Sequence, residues 1–394
     1  MTSYPLPDHD RLAHAVEEHA RSFRSTALAM DDPKADPRTL NPVVSDAYYQ
    51  LFLSLPPEYN PDPLIVDGRP AYLYSCAERA VVYERLAWGD AALLISAPGP
   101  SLSGVATEQL ADPEQLERYY TRLAKGPTWT FFAVTEPQAG SDATQQSNAL
   151  VDADPAAGSG PFDGKVMRGT KRYIGNGARA DLGLAFARLR PGPVGVVAVH
   201  IDPSREGFHA TPLATTGMRA FGLSEISFKD MPVAPEEILG KHLSPVRRGM
   251  VGAMRTFCLA RPIVAAMALG VTCAALDYAA EHRRQLRAEE RWRLESLRGR
   301  AVGVRRLTRA AAARADIDPG DGTMSSAAKY KAAELVLEAS EFALRLFGPG
   351  ARFEHPLLDK IHRDARAFEF MEGAGNMQRL NLAQGYLKRR ILHD

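Results

Sequence analysis

Glu372 is the residue of this chain whose neighbours best suit it to chemistry. It lies in Arg363-Asp364-Ala365-Arg366-Ala367-Phe368-Glu369-Phe370-Met371-Glu372-Gly373-Ala374-Gly375-Asn376-Met377-Gln378-Arg379-Leu380. The flanks read as two helices, and Gly373 and Gly375 break the pattern between them. A carboxylate at such a break leaves the solvated helix face and can turn into a cavity. In a dry pocket a carboxylate suits the removal of a proton from carbon. By spacing alone, a glutamate between helices is more often a cap or a surface charge.

Four further stretches carry polar or conformationally special residues. In Val134-Thr135-Glu136-Pro137-Gln138-Ala139-Gly140-Ser141-Asp142 a strand runs into a turn with two hydroxyls. Thr135 and Ser141 there could serve a flavin ring edge and a pyrophosphate, although spacing alone favours a plain turn. In Gly169-Thr170-Lys171-Arg172-Tyr173-Ile174-Gly175-Asn176-Gly177, Asn176-Gly177 signals a hairpin turn. Tyr173 either covers a planar cofactor or packs across strands. The stretch Gly217-Met218-Arg219 through Ile238-Leu239-Gly240 reads as structural. Arg261-Pro262 follows Phe257 and places proline in a helix's first turn. Arg261 then needs a partner, and a structural ion pair with a carboxylate is the default. The ten histidines form no HExxH or similar cluster, so no metal site is expected, and GxSxG, Walker A and GxGxxG patterns are lacking.

These residues need elements to hold them, and the chain is long enough to supply several. Its 394 residues are 45% hydrophobic, enough for two or three domains. Lysine and arginine total 48 against 47 acids, a balance that points to neither nucleic acid nor an anionic membrane. Three cysteines without CxxC spacing indicate a reducing compartment, and the polar N-terminus has no apolar signal core, so a cytoplasmic protein is expected. The longest apolar run, Ile263 to Leu276, is too short to span a bilayer and fits a buried bundle helix.

The periodicity gives a domain order of α, β, α, with expected bounds 1–127, 128–240 and 241–394. Residues from His9 to about Lys125 read as helical, with little strand signal. Strands are expected at Trp129 to Thr135, Ser147 to Asp152, Lys165 to Ile174, Leu182 to Leu189, Val194 to Ile201 and Ile226 to Phe228, with a hairpin loop at Ala156 to Pro161. Alanine-rich helices follow at Pro245 to Arg284, Arg291 to Asp316, Met324 to Leu346, Pro356 to Met371 and Asn376 to Ile391, packed as a bundle.

In this order and at these separations the motifs resemble the acyl-CoA dehydrogenase family, from about Tyr83 to Arg389. The stretches Val134 to Asp142, Gly217 to Gly240, Arg261-Pro262 and Arg363 to Leu380 carry the likeness. It implies an α+β fold with an N-terminal α-helical domain, a middle antiparallel β domain and a C-terminal four-helix bundle. It also implies FAD, homodimers or homotetramers whose second copy completes the FAD site, and an electron-transferring flavoprotein as oxidant. The reaction implied is α,β-dehydrogenation of an acyl thioester, on CoA or on an acyl-carrier protein. Glu372 would be the α-proton base, with hydride leaving to flavin N5. Preorganised donors to the thioester carbonyl, including the Glu372 N–H, would acidify that proton.

By the same likeness, Phe132, Val134 and Thr135 match the strand along the isoalloxazine, and Ser141 the hydroxyl near the pyrophosphate. Tyr173 replaces a ring-shielding tryptophan. Arg261 matches an arginine supporting the site, Phe257 lies by the substrate, and Gly373 lets substrate approach the backbone. Asn376 and Gly348 fall in FAD-contacting stretches. Some relatives take their base from the position that is Ala260 here, which leaves Glu372. The departures are specific. Gly175 stands where a threonine or serine often meets flavin N5. His282-Arg283-Arg284-Gln285-Leu286 replaces Arg-x-x-Phe-Gly, so Arg283 or Arg284 would supply cross-subunit contacts. Arg345 replaces a glutamine, Ala374 a threonine, and Cys258 an aspartate near the pantetheine. An oxygen-using oxidase or monooxygenase on the same fold, or a non-catalytic scaffold, are the rival expectations.

Overall fold

The computed structural model describes residues 8–40, 54–140, 146–154 and 162–393. The chain opens with helices α1 (His9–Ala15), α2 (Glu17–Met30) and the short α3 (Pro37–Leu40). A small hairpin, β1 (Leu64–Val66) with β2 (Arg69–Ala71), follows and was not legible as strand. Helices α4 (Cys76–Ile95), α5 (Ser101–Leu110) and α6 (Pro113–Leu123) complete this part. Local chemistry starts two of them. Ser75 and Glu78 form a capping box on α4. Asp112 and Gln115 do the same for α6, with Pro113 in its first turn.

The seven strands that follow are β3 (Thr130–Ala133), β4 (Ala149–Asp152), β5 (Lys165–Ile174), β6 (Leu182–Arg188), β7 (Val196–Ile201), β8 (Phe208–Pro212) and β9 (Ser224–Val233). They form one sheet in the order β3-β6-β4-β5-β9-β8, with β7 also on β6. The expected antiparallel domain is therefore corrected to a mixed one: β3 and β4 both run parallel to β6. Alternation along a strand reports its faces, not its neighbour. Parallel pairing needs only a long crossover, which the stretch from Ala133 to Leu182 provides. Nor does Asn176-Gly177 close a hairpin, because β5 and β6 are not neighbours. Asn176 instead takes a left-handed φ of 58° and donates its N–H to the Phe221 carbonyl, 2.9 Å away. The loop expected at Ala156 to Pro161 lies outside the described residues.

Four long helices form the bundle: α7 (Met250–His282), α8 (Ala288–Ile317), α9 (Thr323–Arg345) and α13 (Gly375–His393). The segment expected as one helix from Pro356 to Met371 divides into α11 (Pro356–Ala365) and α12 (Ala367–Phe370), after a single turn, α10 (Ala351–Glu354). Pro262 is not in a first turn, as expected, but mid-way along α7. Ile263 to Leu276 are buried with the exception of Cys273, and the apolar surroundings sustain the helix through the missing N–H. By length and composition α7 could cross a membrane, but its side chains are spent on the bundle and on α4.

Buried charges on α11 tie these layers together. Lys360 on α11 bonds Asp90 at 2.5 Å and Asp364 at 2.6 Å. Asp90 sits at a kink in α4 (φ −162°, ψ 116°), and Asp364 also accepts the Met218 N–H at 2.6 Å. Arg363 bonds Asp31, the C-cap of α2, at 2.6 Å and the Thr216 carbonyl at 2.7 Å. The helix leading to Glu372 is thus fixed to the N-terminal helices and to the connection between β8 and β9.

Candidate active site

The chain leaves α12 at Phe370 and enters α13 at Gly375, and Glu372 sits between them with a φ of 54°. A left-handed non-glycine residue is strained unless its surroundings hold it. Here they do, through the backbone. The Arg261 Nε–H donates to the Glu372 carbonyl at 3.2 Å, and the Gln378 amide donates to the same carbonyl at 3.1 Å and to that of Gly373 at 2.9 Å. Lys329 of α9 donates to the carbonyls of Glu369 at 2.8 Å and Gly373 at 2.7 Å. The Glu369 carboxylate accepts the Gly375 N–H at 2.8 Å and starts α13. Gly373 has a φ of 102°, and a Cβ there would stand 2.9 Å from the Gln378 amide nitrogen.

The side-chain donors of Arg261, Gln378 and Lys329 to this turn all reach backbone carbonyls. The Glu372 carboxyl itself has no hydrogen bond or ion pair among the described residues, and neither has its backbone N–H. The expectation that Arg261 would pair with a carboxylate is corrected accordingly. The guanidinium is spent on the Glu372 carbonyl and, at 3.4 Å, on the Ser326 hydroxyl. Glu372 is half-buried, so solvent reaches it, yet protein crowds its carboxyl. That crowding pushes the carboxyl up to about 7, against the pull of the nearby Arg261 and Lys329 charges. An accessible but poorly solvated carboxyl with a free lone pair can take a proton from carbon near neutral pH.

The site reaches the sheet through aromatic rings. Arg261 lies 5.9 Å from the Phe257 ring, Phe257 meets Phe132 edge-on at 6.0 Å, and Phe132 meets Phe186 edge-on at 5.7 Å. The described start of the turn after β3 is tied to a buried cation. Lys171, fully buried, donates to the Val134 carbonyl at 2.9 Å, to Glu136 at 3.0 Å and to Gln146 at 2.9 Å. Glu136 also accepts the N–H and hydroxyl of Ser147 and the N–H of Asn148. Burial brings Lys171 down to about 8. Burial alone would raise Glu136, but Lys171 and the Ser147 and Asn148 donors hold it below the usual carboxylate range.

Phe132, Val134, Thr135, Phe257, Arg261, Glu372 and Gly373 therefore belong to one contiguous region. The Thr135 hydroxyl has no partner among the described residues, while its carbonyl accepts the Arg172 N–H at 2.9 Å. Tyr173 lies in a bulge of β5, with a φ of 62° and 59% exposure. A Cβ on Gly175 would meet the Phe221 ring at 1.8 Å, so that ring fills the space a hydroxyl-bearing side chain would need. Asn376 is exposed in the first turn of α13. Ser141 lies outside the described residues. Arg283, Arg284, Arg345 and Gly348 are not part of this cluster. Arg283 follows the C-terminus of α7, ~30 Å along its axis from Arg261. Arg345 is exposed and paired with Glu341. Sequence reasoning missed Lys329, Gln378, Lys171 and Glu136. The signal for Lys329 was present: a lone cation among Ser325, Ala328, Ala332 and Ala333, all buried on one face of α9.

The acyl-CoA dehydrogenase middle domain matches residues 131–231, and the family's C-terminal domain matches residues 247–387. The chain is 28% identical over 312 residues to a 3-(aryl)acrylate reductase of Clostridium sporogenes, covering 76% of this chain and 79% of that one. It is 26% identical over 313 residues to the caffeyl-CoA reductase-Etf complex subunit CarC of Acetobacterium woodii, covering 76% and 79%. The butyryl-CoA dehydrogenase structure from Megasphaera elsdenii superimposes with a TM-score of 0.83 at 23% identity, covering 98% of this chain and 100% of that one. Fold, domain matches and relatives agree, and the chain is a divergent member of the acyl-CoA dehydrogenase family.

Proposed function

We propose that this protein is an FAD-dependent dehydrogenase that introduces an α,β double bond into an acyl thioester, with Glu372 removing the α-proton. The observation that carries this reading is the unpaired, crowded carboxyl of Glu372, raised to about 7 and fixed from below by Arg261, Gln378 and Lys329. Its own backbone N–H, also without a partner among the described residues, is placed to donate to a thioester carbonyl. That donor stabilises the enolate-like charge that proton removal creates.

The donor set on the sheet side suits a flavin. The free Thr135 hydroxyl and the exposed Tyr173 ring would hold it, on a turn tied at its start by Lys171 and Glu136. Ser141 would add a hydroxyl to the pyrophosphate. Bound there, the flavin supplies the acceptor for the hydride. Arg283, Arg284, Arg345 and Gly348 cannot reach this site within one chain and would serve it from a second copy. Trp292, Val302 and Ile317, exposed with the open Gly299 and Gly303 on α8, suit such a contact. The oxidant in this reading is an electron-transferring flavoprotein, in line with the Etf-complex relative.

The test is anaerobic bleaching of the purified yellow protein by panels of acyl-CoA and acyl-carrier-protein thioesters. Glu372→Gln should keep its flavin and bleach at least ~100-fold more slowly, as for loss of a general base. Near-normal bleaching in that variant removes Glu372 from the mechanism. Peroxide or hydroxylated product formed in air would move the protein to oxygen chemistry.

A further inference from the structure

Lys329 is almost wholly buried, yet no carboxylate lies within hydrogen-bonding distance of its ammonium among the described residues. A buried cation is costly unless it does something an apolar side chain cannot. Its two acceptors are the carbonyls of Glu369 and Gly373, at 2.8 and 2.7 Å. These carbonyls lie on either side of Glu372, and one ammonium spans both. Drawn toward a single point, they close the loop and leave Glu372 in the left-handed conformation that its own side chain disfavours.

We infer that Lys329 is a positioning residue for the proton-removing carboxylate: by clasping the carbonyls of Glu369 and Gly373, it holds Glu372 in its working conformation and sets a positive charge beside it. The inference rests on the reading of Glu372 as the base. Lys329 touches no reacting atom and is not itself catalytic. Three charged groups face it: Glu369 from α12, Glu372 from the turn and Arg261 from α7. Burial draws its ammonium down to about 8, and both glutamates oppose that shift. The cation persists at neutral pH, where it favours the ionised form of Glu372. An apolar replacement would take this donor from the Glu369 carbonyl and leave the Gly373 carbonyl with the Gln378 amide alone. Glutamine restores a donor but no charge, and arginine keeps the charge in a bulkier fork.

The experiment uses the flavin-loaded protein and its Lys329→Gln, Lys329→Arg, Glu372→Gln and doubly substituted Lys329→Gln/Glu372→Gln forms. Bleaching rate and thioester saturation are followed against pH. Infrared titration of ¹³C-glutamate-labelled protein reports the Glu372 carboxyl independently of turnover. Lys329→Gln should keep its flavin, lose ~10–100-fold in limiting rate with little change in half-saturation, and move the Glu372 titration to higher pH, because a neighbouring cation has gone. The double variant should be no slower than Glu372→Gln alone. A normal rate and unmoved titration in Lys329→Gln overturns the inference. So do fully additive losses, or failure of both Lys329 variants to fold and load flavin, which would make the residue a folding determinant only. A fast Glu372→Gln instead removes the base reading itself, whereas a slow Glu372→Gln beside a normal Lys329→Gln removes this inference alone.

Discussion

The Arg261 guanidinium meets Glu372 at its backbone carbonyl, 3.2 Å from Nε, and leaves the carboxyl unpaired. Had the two side chains formed a bidentate pair, the carboxylate would be stabilised and a poor base. Bonding to the carbonyl fixes the turn without quenching the acid. Arg261→Lys keeps the charge but loses the planar reach to both the Glu372 carbonyl and the Ser326 hydroxyl. A hydrogen bond from a charged group contributes ~1.5–3 kcal/mol, so the expected loss is about 10- to 150-fold in anaerobic bleaching. Flavin content should be unchanged, and stopped-flow absorbance measures both. A full-speed Arg261→Lys would show that the turn does not depend on this bond.

The Glu372 carboxyl gives a pH dependence with a definite sign. As a base it works ionised, so the limiting bleaching rate should rise about tenfold per pH unit below about 7 and level off above it. Stability runs the other way. Between about 4.5 and about 7 the folded chain keeps a proton that the unfolded chain releases, so stability falls as pH rises through this window. Glu372→Gln has no such group. Its melting temperature relative to the parent should climb from pH 4.5 to 7 and then stay constant. Parallel melting curves across that range would mean the carboxyl titrates normally.

Gly175 and Phe221 occupy each other's space. Gly175→Ser would place a Cβ 1.8 Å from the Phe221 ring carbon, which must move or the strand must. Overpacking of this kind costs ~1–3 kcal/mol. The single variant should melt a few degrees lower and release its flavin more readily. Adding Phe221→Ala should restore most of the melting temperature. Equal stability of Gly175→Ser and the parent, by calorimetry, would show that the ring is free to swing away.

Much of this arrangement was legible along the chain, for physical reasons that also explain what was not. β5 was readable over Lys165–Ile174 because β-branched and aromatic residues sit between turn residues. The long helices showed in their alanine-rich periodicity. Glu372 was marked by the glycines around it, which signal a backbone that must turn. The parallel partners of β6 were hidden because pairing is a long-range property that strand composition does not encode. Arg261 was recognised as needing a partner, but side-chain chemistry suggested a carboxylate where the fold supplies a carbonyl. The small residues around Lys329 marked it as a cation on a buried face, but its two acceptors stayed hidden because they are backbone atoms some forty residues away.

Lys171 and Glu136 offer the sharpest test of how the sheet side is held. Both side chains are almost fully buried, 3.0 Å apart, and the Val134 carbonyl hangs on the same ammonium. Lys171→Met leaves the Glu136 carboxylate buried without its cation, a change that costs ~3–5 kcal/mol. It also frees the turn that presents Thr135. Lys171→Met should therefore melt lower and lose flavin on gel filtration, with a weakened affinity by fluorescence titration. Glu136→Gln in the same chain removes the stranded charge and keeps one acceptor oxygen for the Ser147 donors, while the Asn148 N–H loses its acceptor. Stability should recover in part, short of the parent because of the unpaired Asn148 N–H, but flavin affinity should not, because the Val134 carbonyl still lacks its donor. If affinity returned with stability, the ion pair would matter to the fold alone and the turn would hold its shape without Lys171.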